Sequence, residues 1–477
     1  MSARRQAQLS PQMRAPDVLK SPSSWAGPVV LVCLLVFVMT LVYFGSVVNP
    51  SGHLHGLPVA VVNEDLGASA GSGRLNFGEQ VAAGLTGSRV VSSRLSLHPV
   101  SLAVAEHRMD LGKQYAAVVI GPGFTSSLLA IAGVRTPAGQ AATKPAIELL
   151  TNPRAGTLGV SLASGVVSPA LERASRELGQ RLAQLGSAEG ASAAVTALLK
   201  DPVTVSTVVY RPLPSHTGLG LSAFYIALLT TFCGFLGAVI VHTSVDAALG
   251  YAATEIGPVW RQRLPVAISR WQTLVAKWVI AVVLTVVLTG VMLAAAVGIL
   301  QMNTPHFWLL WLLTWFAATV VALGTLVLFA ALGTLGQLVA LLVFVYLALA
   351  SSGGTVPLEA LSGFFRFVAN FEPLRQILDG VRAILYFDAA GGAGLTRAWV
   401  ATAAGLVFWV VLGVLVTAWY DRSNLYRMPP DLMEHLHRAV GAYQQEREGN
   451  APDNGLEGRA GPAIATPATG NEPPSPQ

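Results

Sequence analysis

Apolar residues along this chain fall into two regimes. In some stretches they run nearly unbroken for twenty or more positions, and across residues 49–217 they come in short runs separated by polar turns. A helix needs about 20 consecutive apolar residues to cross the hydrocarbon core of a bilayer. Residues 25–48 meet that length, and no clear small-residue cleavage site follows them, so they read as an uncleaved anchor rather than a signal peptide. Similar runs cover residues 219–241, 271–300, 307–332, 337–350 and 399–419. The run at 337–350 is short. It is separated from its predecessor by Gly333-Thr334-Leu335-Gly336, which suits either a tight turn or a kink in one long helix. Counted as a hairpin, it brings the expected total to about six spans.

Between the first two spans the pattern predicts strands at 57–63, 89–91, 116–120 and 146–150, with helices at 75–85 and 101–111. Strands alternating with helices imply an α/β domain with a largely parallel sheet. Residues 156–185 read as one long helix, or as a helix broken at Pro169. Beyond about Glu446 the chain is rich in Gly, Pro, Asn and Thr, a composition that buries too little surface to fold.

The organisation expected is therefore a 1–24 tail, a 25–48 span, a 49–217 α/β domain, a 218–420 five-span domain and a 421–477 tail that is largely disordered. Within the five-span domain lie a loop at 243–270 and an amphipathic segment at 351–397.

Basic residues in short flanks set the orientation. Arg4, Arg5, Arg14 and Lys20 precede the first span, Arg261, Arg263 and Arg270 lie between the second and third, and Arg422 and Arg427 follow the last. The positive-inside rule places all three flanks, and so both termini, in the cytoplasm, with the α/β domain and the 351–397 segment outside. The preference for Arg over Lys, with abundant Ala, Gly and Val, fits a GC-rich bacterial genome, so the membrane expected is the bacterial cytoplasmic membrane.

Composition narrows the function classes. Over 477 residues, 53% are hydrophobic and only 12% charged, about half the charge of a globular chain. Mean hydropathy is +0.56. The net charge of +5 is scattered, with no run of five or more Lys or Arg, so nucleic acid is not an expected partner. Cys33 and Cys233 both fall in apolar runs, so the α/β domain has no disulfide to hold it. No HExxH, paired CxxC or Gly-x-Ser-x-Gly occurs, and no enzyme, cofactor or metal is expected. Gly112-Lys113 is followed by Gln114, and His107 stands where a P-loop needs Gly, so there is no phosphate cradle.

Several polar groups carry alternatives. Asn63, Glu64 and Asp65 suit a polar turn or part of a divalent-cation site. His242 and Asp246, four apart just past the second span, suit a solvated helix end or a proton relay. Lys277, about two turns into the third span, suits snorkelling to headgroups or a pathway role. In the 351–397 segment Phe364, Phe365, Phe367 and Phe371, with Leu374, Ile377 and Leu378, form an apolar face opposed by Glu372, Arg375 and Asp379. Such a segment lies against the bundle or in the outer headgroup layer, with packing favoured over substrate binding.

Four motifs carry a family resemblance: LPVAVVNEDLGA at 57–68, YAAVVIGPGF at 115–124, SHTGLGLSAFY at 215–225, and SSGGTVPLEALSGFFRFVANFEPLRQILDGVRAILY at 351–386. With one anchor and five clustered helices, the chain resembles the YhgE/Pip (phage-infection-protein-like) and nitrosoguanidine-resistance-type membrane proteins of the ABC type-2 permease superfamily. The resemblance implies a helical transmembrane bundle that dimerises, with membrane lipid or another substrate moving between protomers, driven by a separate cytoplasmic ABC ATPase. It also implies that the 243–270 loop docks on that ATPase through Glu255, Trp260, Arg261 and Arg263. An interfacial helix lying on lipid headgroups is the equal alternative for that loop. Two functions follow as expectations. One is a permease-like subunit of an exporter for a lipid, drug or envelope component. The other is a non-transporting receptor or scaffold presenting the α/β domain to phage, cell wall or a secretion apparatus.

Overall fold

The computed structural model describes residues 20, 22–70, 73–133, 143–185, 193–425 and 427–449. Five of its helices are long and apolar enough to cross a membrane: Val29–Val47, Ser222–Ala248, Arg270–Ile299, Phe307–Leu332 and Leu395–Arg422. Such helices hydrogen-bond their own backbone, which is what allows them to sit in lipid. A shorter apolar helix, Leu335–Ser351, follows the fourth. Gly333, at φ 61°, makes the turn between them, so the two are separate helices rather than one kinked rod. The short helix contains a π-helical stretch at Leu342–Leu347.

Close approach holds the bundle together. A Cβ on Gly234 would stand 2.4 Å from the Ala318 carbonyl oxygen, and one on Gly413 2.7 Å from the Trp278 ring. Small residues at helix crossings let backbones pack where lipid supplies no hydrophobic drive. Thr230, Thr231, Thr289, Thr325 and Thr402 are buried and return their hydroxyls to the backbone carbonyl four residues back. Thr285 and Thr319 instead share a hydrogen bond of 2.8 Å between two helices. The first apolar helix is different: its valines and leucines are mostly exposed, a surface suited to lipid.

The α/β domain is inserted between the first and second apolar helices. Its main sheet is built from β1 (Leu57–Asn63), β4 (Leu95–Pro99), β5 (Ala116–Ile120), β6 (Ala146–Thr151) and β7 (Thr204–Val209), in the order β4-β1-β5-β6-β7. All neighbours are parallel except β5 and β6. A small antiparallel ribbon pairs β2 (Ala68–Ala70) with β3 (Gly73–Leu75). Every residue of β5 is buried, as expected of a strand covered on both faces. One face packs on the helices Phe77–Gly87, Phe124–Ile131 and Thr157–Leu185, and the other on Leu102–Asp110 through Ala105 and Met109.

Two local expectations are corrected, and one alternative is decided. Residues 89–91 are not a strand: Arg89–Ser92 is one helical turn, and the strand follows at Leu95–Pro99. The β-branched pair Val90-Val91 favours a strand in isolation, but the partner is chosen by register with β1, where Leu57 faces Leu95. Of the two alternatives for 156–185 the structure has the single long helix: Thr157–Leu185 runs through Pro169 without a break. The second apolar helix continues past 241 to Ala248, which takes His242 and Asp246 inside it.

At the other end of the chain, Pro430–Gly449 forms a polar helix in the 421–477 tail, nearly all of it before the low-complexity stretch that begins at about Glu446. The rest of that low-complexity tail lies outside the described residues.

Candidate ligand cavity in the helix bundle

The second and third apolar helices bring His242, Asp246 and Lys277 together at the end of the bundle away from the α/β domain. Lys277 Nζ lies 2.6 Å from Asp246 Oδ1 and 3.0 Å from His242 Nδ1. Asp246 and Lys277 are each only 5% exposed, so neither a solvated helix end nor a snorkelling lysine describes them. A carboxylate on the adjoining helix offers the ammonium group a partner closer than the headgroups. His242 stacks on Phe329 with ring centroids 3.9 Å apart, which fixes the ring plane.

A fourth member comes from beyond the last apolar helix. Arg427 Nη1 and Nη2 donate to Asp246 Oδ1 and Oδ2 at 2.9 and 2.6 Å, a two-pronged contact that point charges do not make. Its guanidinium lies 4.3 Å over the Tyr251 ring. Arg270, the first residue of the third apolar helix, lies 4.6 Å over Tyr420 and donates through Nε to the Leu425 carbonyl at 2.7 Å. These residues, with Thr273, Leu274, Leu326, Phe329 and Ala330, line a cavity of about 670 Å³. That size falls in the range of small-molecule sites, about 300–1,000 Å³. Arg427 marks the last flank in the sequence, but its partner is 181 positions away and no spacing rule points to it.

The other sequence-selected residues sit elsewhere. Glu255, Trp260 and Arg261 lie on a two-stranded hairpin, β8 (Thr254–Ile256) with β9 (Val259–Arg261), in which Glu255 faces Trp260. The interfacial helix weighed for this loop is therefore absent, because Gly257, at φ 57°, and Pro258 turn the chain back on itself. Arg263 follows the hairpin and is exposed, and Trp260 is 62% exposed. The aromatic segment is two helices, Gly363–Val368 and Pro373–Tyr386. Its expected single apolar face is split. Phe365 packs near Gly45 of the first apolar helix, and Leu374, Ile377 and Leu378 are buried, while Phe364, Phe367 and Phe371 are 61%, 64% and 75% exposed. The break at residues 369–372, where the Glu372 carboxylate caps the second helix, rotates one set of side chains away from the other.

A second polar region joins the α/β domain to this segment. Tyr115 Oη donates to Glu359 Oε2 at 3.5 Å, Arg154 donates to the Tyr386 carbonyl at 3.1 Å, and Arg382 donates to the Gly353 and Gly354 carbonyls. Burial pushes the Glu359 and Asp379 carboxyls up from their ordinary range and also raises the Tyr115 phenol. Arg375 lies 3.7 Å from Asp379.

The Asn63–Asp65 turn holds no open ligand set. Asn63 Oδ1 accepts from the Asp65 amide, and the Asp65 carboxylate accepts from the Gly78 and Thr125 amides and the Thr125 hydroxyl. Among the described residues no group of three or more His, Cys, Asp or Glu is placed to hold a metal ion.

The family described as protein of unknown function (DUF3533) matches residues 28–405. The chain belongs to that family. The matched stretch contains His242, Asp246, Lys277 and the Thr254–Arg261 hairpin, and it ends before Arg427. No curated protein matches the chain. Among solved structures, the crystal structure of "a domain of a putative ABC type-2 transporter from Thermotoga maritima MSB8" is 23% identical, covering 32% of this chain and 85% of that one at a TM-score of 0.22. A likeness of that extent assigns neither fold nor activity here.

Proposed function

We propose that this protein is a permease-like subunit of an ABC-type exporter, carrying a lipid, drug or envelope component outward on the energy of a separate ATPase. The observation that carries the reading is the buried Asp246–Lys277–Arg427 cluster opening on a cavity of about 670 Å³ at the end of the bundle. Buried ionisable groups are costly and are found at functional sites more often than in simple anchors. A receptor that only displays the α/β domain needs one span and no such cavity.

In this reading both termini and the hairpin face the cytoplasm of a bacterial cell, as the basic flanks direct, and the α/β domain is outside. The chain itself catalyses nothing. The exposed hairpin, with Glu255, Trp260, Arg261 and the following Arg263, is the ATPase contact, and two copies of the chain form the transport unit. The resemblance of the motifs quoted above to the YhgE/Pip and nitrosoguanidine-resistance proteins of the type-2 permease superfamily supports this reading.

The test is purification of the intact protein from its native membrane in mild detergent, followed by mass spectrometry and an ATPase assay. The exporter reading expects a co-purifying nucleotide-binding subunit that is lost in the Glu255→Ala/Arg261→Ala double variant. Recovery of envelope or secretion components with no ATPase overturns it in favour of a receptor or scaffold.

A further inference from the structure

The charges around the bundle cavity do not balance. Lys277, Arg270 and Arg427 line it, and Asp246 is the sole carboxylate among the described lining residues. His242 adds no charge in this geometry. Its Nδ1 is 3.0 Å from the Lys277 ammonium, which has protons only to give, so Nδ1 accepts. Nε2, 3.3 Å from Asp246 Oδ2, then carries the ring's proton. Asp421 lies close enough to Arg270 to act on it, but it is exposed and does not line the cavity. One carboxylate shared between Lys277 and Arg427 therefore leaves an excess of positive charge in the cavity wall.

The cations are also held in place before any ligand arrives. Arg270 is fixed by the Leu425 carbonyl and the Tyr420 ring, and it has no carboxylate within 4.0 Å among the described residues. Guanidinium groups stacked on aromatic rings lose little freedom when an oxyanion binds. The same lining also carries apolar side chains, Leu274, Leu326, Phe329 and Leu332. A lining that combines fixed cations with hydrocarbon fits a ligand that carries both an anionic group and an apolar part. Basic pockets between membrane helices take anionic headgroups for this reason.

We infer that this cavity binds an amphiphilic anion, a phosphate or carboxylate headgroup on an apolar tail, with Arg270 and Lys277 at the headgroup and Leu274, Leu326 and Phe329 along the tail. Calling that ligand the cargo rests on the exporter reading, whereas the binding itself does not.

The experiment measures equilibrium binding to the full chain in neutral detergent, with dioctanoyl phosphatidylglycerol, dioctanoyl phosphatidylcholine and inorganic phosphate as probes. Phosphatidylglycerol should bind about tenfold or more tighter than phosphatidylcholine, the scale of one charge-assisted hydrogen bond. Arg270→Gln should lower phosphatidylglycerol affinity by about tenfold in protein that thermal unfolding shows to be still folded, with phosphatidylcholine affinity little changed. Ala330→Phe, which projects a ring into the cavity beside Phe329 and keeps every charge, should weaken binding of the lipid. Equal affinity for the two lipids, or unchanged binding in both variants, overturns the inference. Displacement of the lipid by inorganic phosphate at equal concentration also overturns it, and leaves a site for a free anion. None of these readings uses an ATPase, so the inference and the exporter reading fail separately.

Discussion

Lys277 and Asp246 stand 31 positions apart on consecutive apolar helices, yet their charged atoms meet at 2.6 Å with both side chains almost fully buried. Burying either charge alone is prohibitive, and the pair is retained only because each satisfies the other and Arg427 closes the set. Asp246→Ala should therefore cost about 3–5 kcal/mol, since it strands two cations. Thermal unfolding in detergent checks this, and the Asp246→Ala/Lys277→Ala double variant should lose less than the two single losses summed. A loss under about 1 kcal/mol would mean that water already solvates the cluster.

Gly234 allows the second apolar helix to pass directly against the fourth, where a Cβ would meet the Ala318 carbonyl oxygen at 2.4 Å and Val321 at 2.8 Å. Gly234→Val should force those helices apart at a cost of about 1–3 kcal/mol. The same substitution at Gly290, where the nearest atom to a Cβ is 3.8 Å away, should be tolerated, and comparison of the two thermal midpoints decides it.

Glu372 is fully buried at the start of the Pro373–Tyr386 helix, where its carboxylate accepts from the Leu374 and Arg375 amides at 2.7 and 2.9 Å. Burial outweighs those bonds and raises its pKa from 4.5 to about 7. A raised carboxyl means that the folded state holds its proton more tightly than the unfolded chain does. The associated stability is fully present below about pH 4.5 and is lost as pH rises through about 7, a difference of about 3 kcal/mol. Glu359 and Asp379, raised by burial, act in the same direction. Unfolding followed from pH 5 to pH 8 should show a falling midpoint, and Glu372→Gln should flatten that slope.

Asp65 is buried and receives three hydrogen bonds from Gly78 and Thr125, so its carboxylate ties the end of β1 to two helices. Asp65→Ala should destabilise the α/β domain by about 2–3 kcal/mol by leaving those donors unpaired. Because the carboxylate oxygens are already occupied, calcium or a chelator should leave the wild-type midpoint unchanged. A calcium-dependent rise would restore the cation-site alternative.

The exposed Phe364, Phe367 and Phe371 show where a sequence pattern stops being informative. Helical spacing places them on one face with Leu374 and Ile377, but it assumes a single helix, and the break at residues 369–372 invalidates that assumption. By contrast, β1, β5 and β6 were legible because short apolar runs bounded by turns admit few other structures. β7 was not: Thr204–Val209 is mostly exposed, an edge strand without the continuous apolar signature of β5.

The candidate site divides along the same line. His242 and Asp246 were visible as a pair four residues apart just past the second span, and Lys277 as a lone charge within the third, which are properties of the local sequence. Their assembly was not visible, and neither were Arg270, Arg427, Tyr251 and Tyr420 as its walls. The sequence by itself determined the apolar helices, because the length and composition of a run decide whether lipid can surround it. Only the tertiary structure decided which charges neutralise which, because that depends on how helices distant in the chain cross and on which side chains the crossing seals from water.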